Sequence, residues 1–431
     1  MQTELIKKVI ITQEKEYKDA FETERIISRE VGNEGLLATI KYPNILAILG
    51  IRRSGKSFLS LSLLKGRKFG YINFDDERLF GLKSSELDDV LQAFYGLYGY
   101  VDYLILDEIQ NVVGWELFAN RLRRTKKVII TGSNATLLSG DMATKLTGRY
   151  LDFILFPFSF SEYLSYHGVV FDKKEIYLTK FAAEIKNHLR SYLEIGGFPE
   201  AYKFGYKFTS RIYNDIIEKD VIRKNRIKDP DKVRELAKIL VSNFSKEITF
   251  RKLREQTRVK NEHTISKYIS YLTSSYLLVL INRFSFKLKE QMKAPKKVYC
   301  IDSGIINNIS FQFSENMGRV MENIVAIELL RSNHYLDSKL ELYYWKNIQQ
   351  QEVDFIIKSG PRVKELLQVC YDIDDLDVKT REVKALLKAS KELRCNKLLV
   401  VTWDYEGEEK INGKKIKFVP LWKWLLKTQI E

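Results

Sequence analysis

The stretch Gly50-Ile51-Arg52-Arg53-Ser54-Gly55-Lys56-Ser57 satisfies GxxxxGK[ST] at every fixed position. In such a loop the backbone amides converge on phosphate oxygens at the positive end of a helix, a lysine adds a point charge, and a hydroxyl reaches Mg²⁺. Gly50, Arg52, Arg53, Ser54, Gly55, Lys56, Ser57 and Phe58 are therefore the candidate nucleotide contacts. A second apolar run, Tyr103-Leu104-Ile105-Leu106, ends in Asp107-Glu108. With Ser57, Asp107 is the candidate metal ligand, holding Mg²⁺ through water. Glu108 is the candidate base that polarises the water attacking the γ-phosphate, which points to hydrolysis and not to nucleotide storage. Ile130-Thr131-Gly132-Ser133-Asn134 closes a third run and offers Asn134 as a sensor of the γ-phosphate. Arg149, after Gly148, is a candidate arginine finger, with Arg123 and Arg124 as rivals. The plainer alternatives are a glycine turn, an acidic helix cap and surface ion pairs.

These residues need a scaffold that brings distant loops to one edge. Apolar runs at 44–49, 69–74, 103–106 and 127–131, each ending in a polar or glycine-containing loop, predict a parallel sheet with its ligand at the strand ends. A helix should start at Lys56, and Thr12 to Glu30 has helical spacing. The sheet should finish near Ile154, because Pro157 stops the element before it. Helical periodicity then runs to Arg283. Within it, a helix at 250–256, a turn at Lys260-Asn261, a helix at 264–275 and an apolar run at 277–281 have the order of a winged helix-turn-helix. Strands at 340–345, 352–357, 365–370 and 397–402 and a helix at 379–391 predict a closing α/β domain. The expected segments are thus 1–156, 157–247, 248–311 and 312–431.

Charge is distributed unevenly. The 431 residues hold 71 Lys and Arg against 56 Asp and Glu, a net +15, and residues 203–297 alone hold 24 against 10. Such concentration is the footprint of a polyanion partner, here DNA. In a winged helix the second helix faces base edges and the wing touches phosphates. The recognition-side candidates are Lys260, Asn261, His263, Thr264, Ser266 and Lys267; the wing candidates are Arg283, Lys287, Lys289, Lys293, Lys296 and Lys297. Winged helices also bind proteins, so that reading stays open.

Composition narrows the class. Hydrophobic residues make up 45% and charged ones 29%, with 24 Phe and 24 Tyr, which excludes a disordered chain. The absence of an 18-residue apolar run or a signal-peptide pattern predicts a cytoplasmic protein with no membrane partner. Cys300, Cys370 and Cys395 lack metal or disulfide spacing and read as packed thiols.

Taken together, GIRRSGKS, YLILDEIQ, VIITGSNATLLS, TGRY and LFPFSFSEYL resemble the AAA-type P-loop ATPases of archaea and bacteria that continue into a winged helix and a C-terminal restriction-endonuclease-like domain. The resemblance runs from about Tyr42 onward. It implies ATP and Mg²⁺ as cofactors, a ring or other homo-oligomer, and function at Lys56, Ser57, Asp107, Glu108 and Asn134. Asp75 and Asp76 also match a family strand end. The C-terminal order resembles the PD-(D/E)xK nuclease core, with Glu322, Asp354 and Gln368 in the acid and amide positions. Cys370 stands where that pattern wants lysine, which favours a docking or structural remnant; Lys364 is the nearest substitute. The expected function is a Mg²⁺-dependent ATPase that couples nucleotide state to engagement of DNA, including branched or structured DNA. The alternatives are an ATP-dependent nuclease and a signalling or defence switch acting on protein partners.

Overall fold

Five apolar runs form strands β1 (Ile45–Leu49), β2 (Phe69–Asn73), β3 (Tyr103–Asp107), β4 (Lys127–Gly132) and β5 (Tyr150–Ile154). They pair in the order β2-β3-β4-β1-β5, and every pairing is parallel. All five residues of β1 are buried, as a strand covered on both faces requires. These features come from a computed structural model that describes residues 3–40, 44–135, 148–172, 174–310, 317–335 and 339–427. The sheet belongs to a unit of Met1–Phe156 with Ser274–Tyr276; Pro157–Thr273 and Leu277–Glu431 form a second unit.

In the first unit the N-terminal helix is Thr3–Thr23, not 12–30. Its buried stripe, Ile6, Val9, Ile10 and Gln13, has i, i+3, i+4, i+7 spacing, and its three isoleucine and valine side chains join the core of the sheet. Charged residues on the outer face hid that stripe. Residues 24–30 follow the helix without continuing it.

The second unit contains β6 (Lys246–Ile248), β7 (Leu278–Arg283), β8 (Lys296–Cys300), β9 (Leu340–Lys346), β10 (Glu352–Ser359), β11 (Arg362–Cys370), β12 (Leu398–Thr402), β13 (Gly407–Ile411) and β14 (Lys414–Pro420). They build one sheet in the order β13-β14-β12-β11-β10-β9-β7-β8-β6. Helices Phe250–Thr257 and Glu262–Ser274 lie between β6 and β7, so the predicted helix, turn, helix, strand order is present. The predicted segment limits near 247 and 311 fall inside this unit. β7 pairs with β9 through Asn282 with Tyr343 and Arg283 with Tyr344, which fuses the hairpin to the later strands. Helix Leu376–Leu393 packs its apolar side on β10 and β11, and helix Met317–Tyr335 lies against β8 and β11. No helix among the described residues is long and apolar enough to cross a membrane.

Candidate nucleotide site and two further clusters

β1 stops at Leu49 because the chain must turn where only glycine fits. Gly50 has φ +143°, and a Cβ there would lie 2.2 Å from the Leu155 carbonyl oxygen. Gly55, at φ 93°, caps the helix Lys56–Leu63 from the left-handed region, so the amides at that helix end remain available for an anion. Arg29, which the sequence did not single out, fixes the loop from behind. Its buried guanidinium donates to the carbonyls of Ser54 at 3.0 Å and Phe156 at 2.7 Å. The Ser54 hydroxyl is buried and has no hydrogen-bond partner. A buried orphan hydroxyl is costly in a closed core and reasonable beside a polar ligand, so the loop fits a triphosphate.

β4 lies between β1 and β3, so residues at its C-terminal end separate the loop from the acids. Lys56 spans that gap: its buried ammonium donates to the Ile51 carbonyl at 3.0 Å and stands 3.9 Å from Glu108 Oε1. Asp107 is fully buried, and both carboxylate oxygens are held. The Tyr71 hydroxyl donates to Oδ2 at 2.9 Å, and the Thr131 hydroxyl donates to Oδ1. Thr131 Oγ1 in turn accepts the Glu108 amide at 2.9 Å. Glu108 sits at φ 51°, ψ 39°, a left-handed conformation uncommon outside glycine, with the Gln110 amide donating to its Oε2. Burial pushes the Glu108 carboxyl above its ordinary pKa; Lys56 opposes that rise and Asp107 adds to it. Tyr71 and Thr131 were missed by sequence reasoning, since neighbouring strands are named only by the sheet order.

Ser133 and Asn134 are buried just beyond β4. Arg149 is exposed; its guanidinium donates to Asn120 Oδ1 at 3.3 Å, and Arg123 donates to the same oxygen at 2.7 Å. Asp75 lies 3.8 Å from the Arg52 guanidinium, beside the loop. Asp76 instead caps a short helix, accepting from Arg78 and Gln13, and those bonds lower its pKa to about 2. Its role is structural.

On the helix pair, Lys260, His263 and Lys267 are exposed. Asn261 and Thr264 are otherwise engaged: Asn261 Oδ1 accepts both the Thr264 amide at 2.8 Å and its hydroxyl at 2.9 Å, an N-terminal cap. Lys287 and Lys289 are exposed in the hairpin, and Lys287 pairs with Glu290 at 3.1 Å. Arg283 is half-buried and donates to the Lys346 carbonyl where β7 is clamped to β9. Lys297 is not a wing residue: it faces inward from β8 and is 2% exposed.

The profile described as AAA domain matches residues 42–164, and two domains of unknown function, DUF8612 and DUF4143, match 186–316 and 317–424. An uncharacterized protein of Methanocaldococcus jannaschii, MJ1544, is 35% identical over 405 residues, spanning 89% of each chain. The chain belongs to the family of that archaeal protein. An uncharacterized protein of Haemophilus influenzae is 28% identical over 417 residues, covering 92% of this chain and 98% of its own. Among solved structures, a Walker-type ATPase of Pyrococcus abyssi, PABY2304, aligns with 18% identity and a TM-score of 0.42 over 67% of this chain and 97% of that one. The first unit thus carries an AAA-type P-loop domain on a parallel sheet.

In the part of this family member matched by DUF4143, the structure brings Glu322, Asp354 and Gln368 together at the floor of a cleft of about 490 Å³. Lys297 joins them. Its ammonium lies 2.9 Å from Glu322, 3.0 Å from Asp354 and 2.5 Å from Glu352. Burial disfavours the charge on Lys297, but the surrounding carboxylates hold its pKa well above the ordinary lysine value. Burial likewise pushes the Glu322 carboxyl above its ordinary pKa, and the Lys297 ammonium beside it pulls it back down. Gln368 is locked: its oxygen accepts the Asp354 amide at 3.2 Å and its amide donates to Glu382 at 2.6 Å. Cys370 is a buried thiol with a pKa pushed up to about 12 by burial, and Lys364 is exposed on β11. The lysine of this cluster was illegible in the sequence because β8 precedes the acids and meets them only through the sheet.

Proposed function

We propose that the protein binds ATP with Mg²⁺, hydrolyses it, and uses nucleotide state to control engagement of DNA. The observation that carries the proposal is the approach of Lys56 to Glu108, 3.9 Å apart, across a loop whose Ser54 hydroxyl has no partner. Loop amides and Lys56 hold the triphosphate, and Ser57 with Asp107 hold Mg²⁺, which supplies charge neutralisation on the phosphates. Tyr71 and Thr131 orient the Asp107 carboxylate by donating to its two oxygens. Glu108 orients the attacking water and takes its proton. Once phosphates draw Lys56 away from Glu108, that carboxylate is released for the task. Asn134 senses the γ-phosphate, and Arg149 completes the site of a neighbouring subunit in a homo-oligomer.

The DNA part of the proposal is supported by the excess of basic residues over 203–297 and by exposed Lys260, His263, Lys267, Lys287 and Lys289 on a helix pair and hairpin. Such a surface binds phosphates with little base readout. ATP turnover measured with and without DNA tests the coupled function. Turnover that DNA leaves unchanged, together with DNA affinity that ATP leaves unchanged, would reject the coupling.

A further inference from the structure

The resemblance of the C-terminal strands to a metal-dependent nuclease core asks for a divalent cation between Glu322 and Asp354. The side chains do not fit one. An ammonium has three N–H donors, and the Lys297 ammonium faces three carboxylates, Glu322, Glu352 and Asp354, at 2.5–3.0 Å. No donor is left for a substrate phosphate or an attacking water. The acids are held in place around it: Asp354 Oδ2 accepts the Val369 amide at 3.0 Å, Glu322 Oε1 accepts the Tyr299 hydroxyl at 2.7 Å as well as the ammonium, and Glu352 meets Lys346 at 3.2 Å. Among the described residues, no three acidic, imidazole or thiol groups remain around an open cation position.

We infer that the Lys297 ammonium permanently fills the cation position of this acid cluster, so that the C-terminal cleft takes no divalent metal and does not cut nucleic acid by a metal-dependent route. An ordinary catalytic lysine would keep a donor directed at the reacting phosphate. This one is 2% exposed and lies on a strand that the nuclease pattern does not use. Lys297 offsets one acid charge of this cluster and Lys346 a second at Glu352, so removing Lys297 leaves Glu322 and Asp354 without a cation and able to attract another.

Equilibrium dialysis of the full chain against Mn²⁺, without nucleotide, tests this inference independently of the ATPase reading. The same number of ions should bind to the unaltered protein and to Asp354→Asn. Lys297→Ala should bind one more ion per chain, and Lys297→Ala/Asp354→Asn should lose it. An ion bound by the unaltered protein and lost in Asp354→Asn overturns the inference, as does a folded Lys297→Ala protein with no added ion. If Lys297→Ala does not fold, the comparison with Asp354→Asn still decides. Melting adds a second reading: any shift that Mn²⁺ causes in the midpoint of the unaltered protein should appear equally in Asp354→Asn, and a rise that Asp354→Asn abolishes counts against the inference.

Discussion

Lys56 and Glu108 face each other at 3.9 Å, the ammonium also held by the carbonyl of Ile51 in its own loop. The two side chains come from opposite sides of β4 and share one environment, so their variants should separate binding from chemistry. Lys56→Ala should lose affinity for ATP and turnover together. Glu108→Gln should keep ATP bound while turnover falls by about 10²–10⁴, the range for losing a positioned base. Fluorescent-nucleotide titration beside phosphate release checks both, and unchanged turnover in Glu108→Gln would remove Glu108 from the chemistry.

The loop geometry depends on Arg29 behind it, which donates to the carbonyls of Ser54 and Phe156. Arg29→Ala leaves two buried carbonyls short of a donor, at about 1–3 kcal/mol for each group left unsatisfied. We expect a lower melting midpoint and weaker ATP binding, partly recovered when ATP is added in excess. Arg29→Lys should restore only part of this loss, since one ammonium cannot match a planar fork reaching both carbonyls. Differential scanning calorimetry with and without nucleotide makes the comparison.

Asp302 gives a pH signature. Its carboxylate is buried, accepts the Gly197 amide at 2.6 Å and caps the helix Ser303–Ile309, and burial raises its pKa to about 6. Because the folded value lies above the unfolded one, the folded form holds its proton longer. The associated stability is complete below about pH 4 and is lost as pH rises through about 6. The loss is on the order of 3 kcal/mol for a shift of this size. Asp302→Asn keeps an acceptor oxygen and should flatten this part of the curve, as read by urea unfolding from pH 4 to 7.

DNA affinity should fall with salt as bound phosphates release their counterions. Replacing Lys260, Lys267 and Lys287 together by alanine should lower the slope of log K against log salt by about 0.9 for each phosphate that is no longer neutralised. Lys297→Met should not act this way, since Lys297 is buried among acids. Fluorescence anisotropy at several salt concentrations provides the slopes. An unaltered slope in the triple variant would move the DNA surface elsewhere, or favour a protein partner for this helix pair.

Much of the nucleotide site was legible in the residues alone, because a phosphate loop and an acid-tipped strand are local patterns whose chemistry needs few neighbours. Gly50 to Ser57 and Asp107-Glu108 marked the ends of two strands of the parallel sheet. The helix pair at 250–274 was equally readable, since apolar spacing and turn residues lie within a few positions of one another. Tertiary structure decided what depends on pairing. Arg29 has a polar neighbourhood in the chain yet ends buried behind the loop, and Tyr71 and Thr131 reach Asp107 only through the order of parallel strands. Lys297 is the sharpest case. In the chain it sits in a basic run that reads as facing solvent, whereas the pairing of β8 with β7, and of β7 with β9, turns it toward three acids that come later. Charge counted along a sequence measures how many cations exist, while burial and sheet order determine which of them can meet a partner.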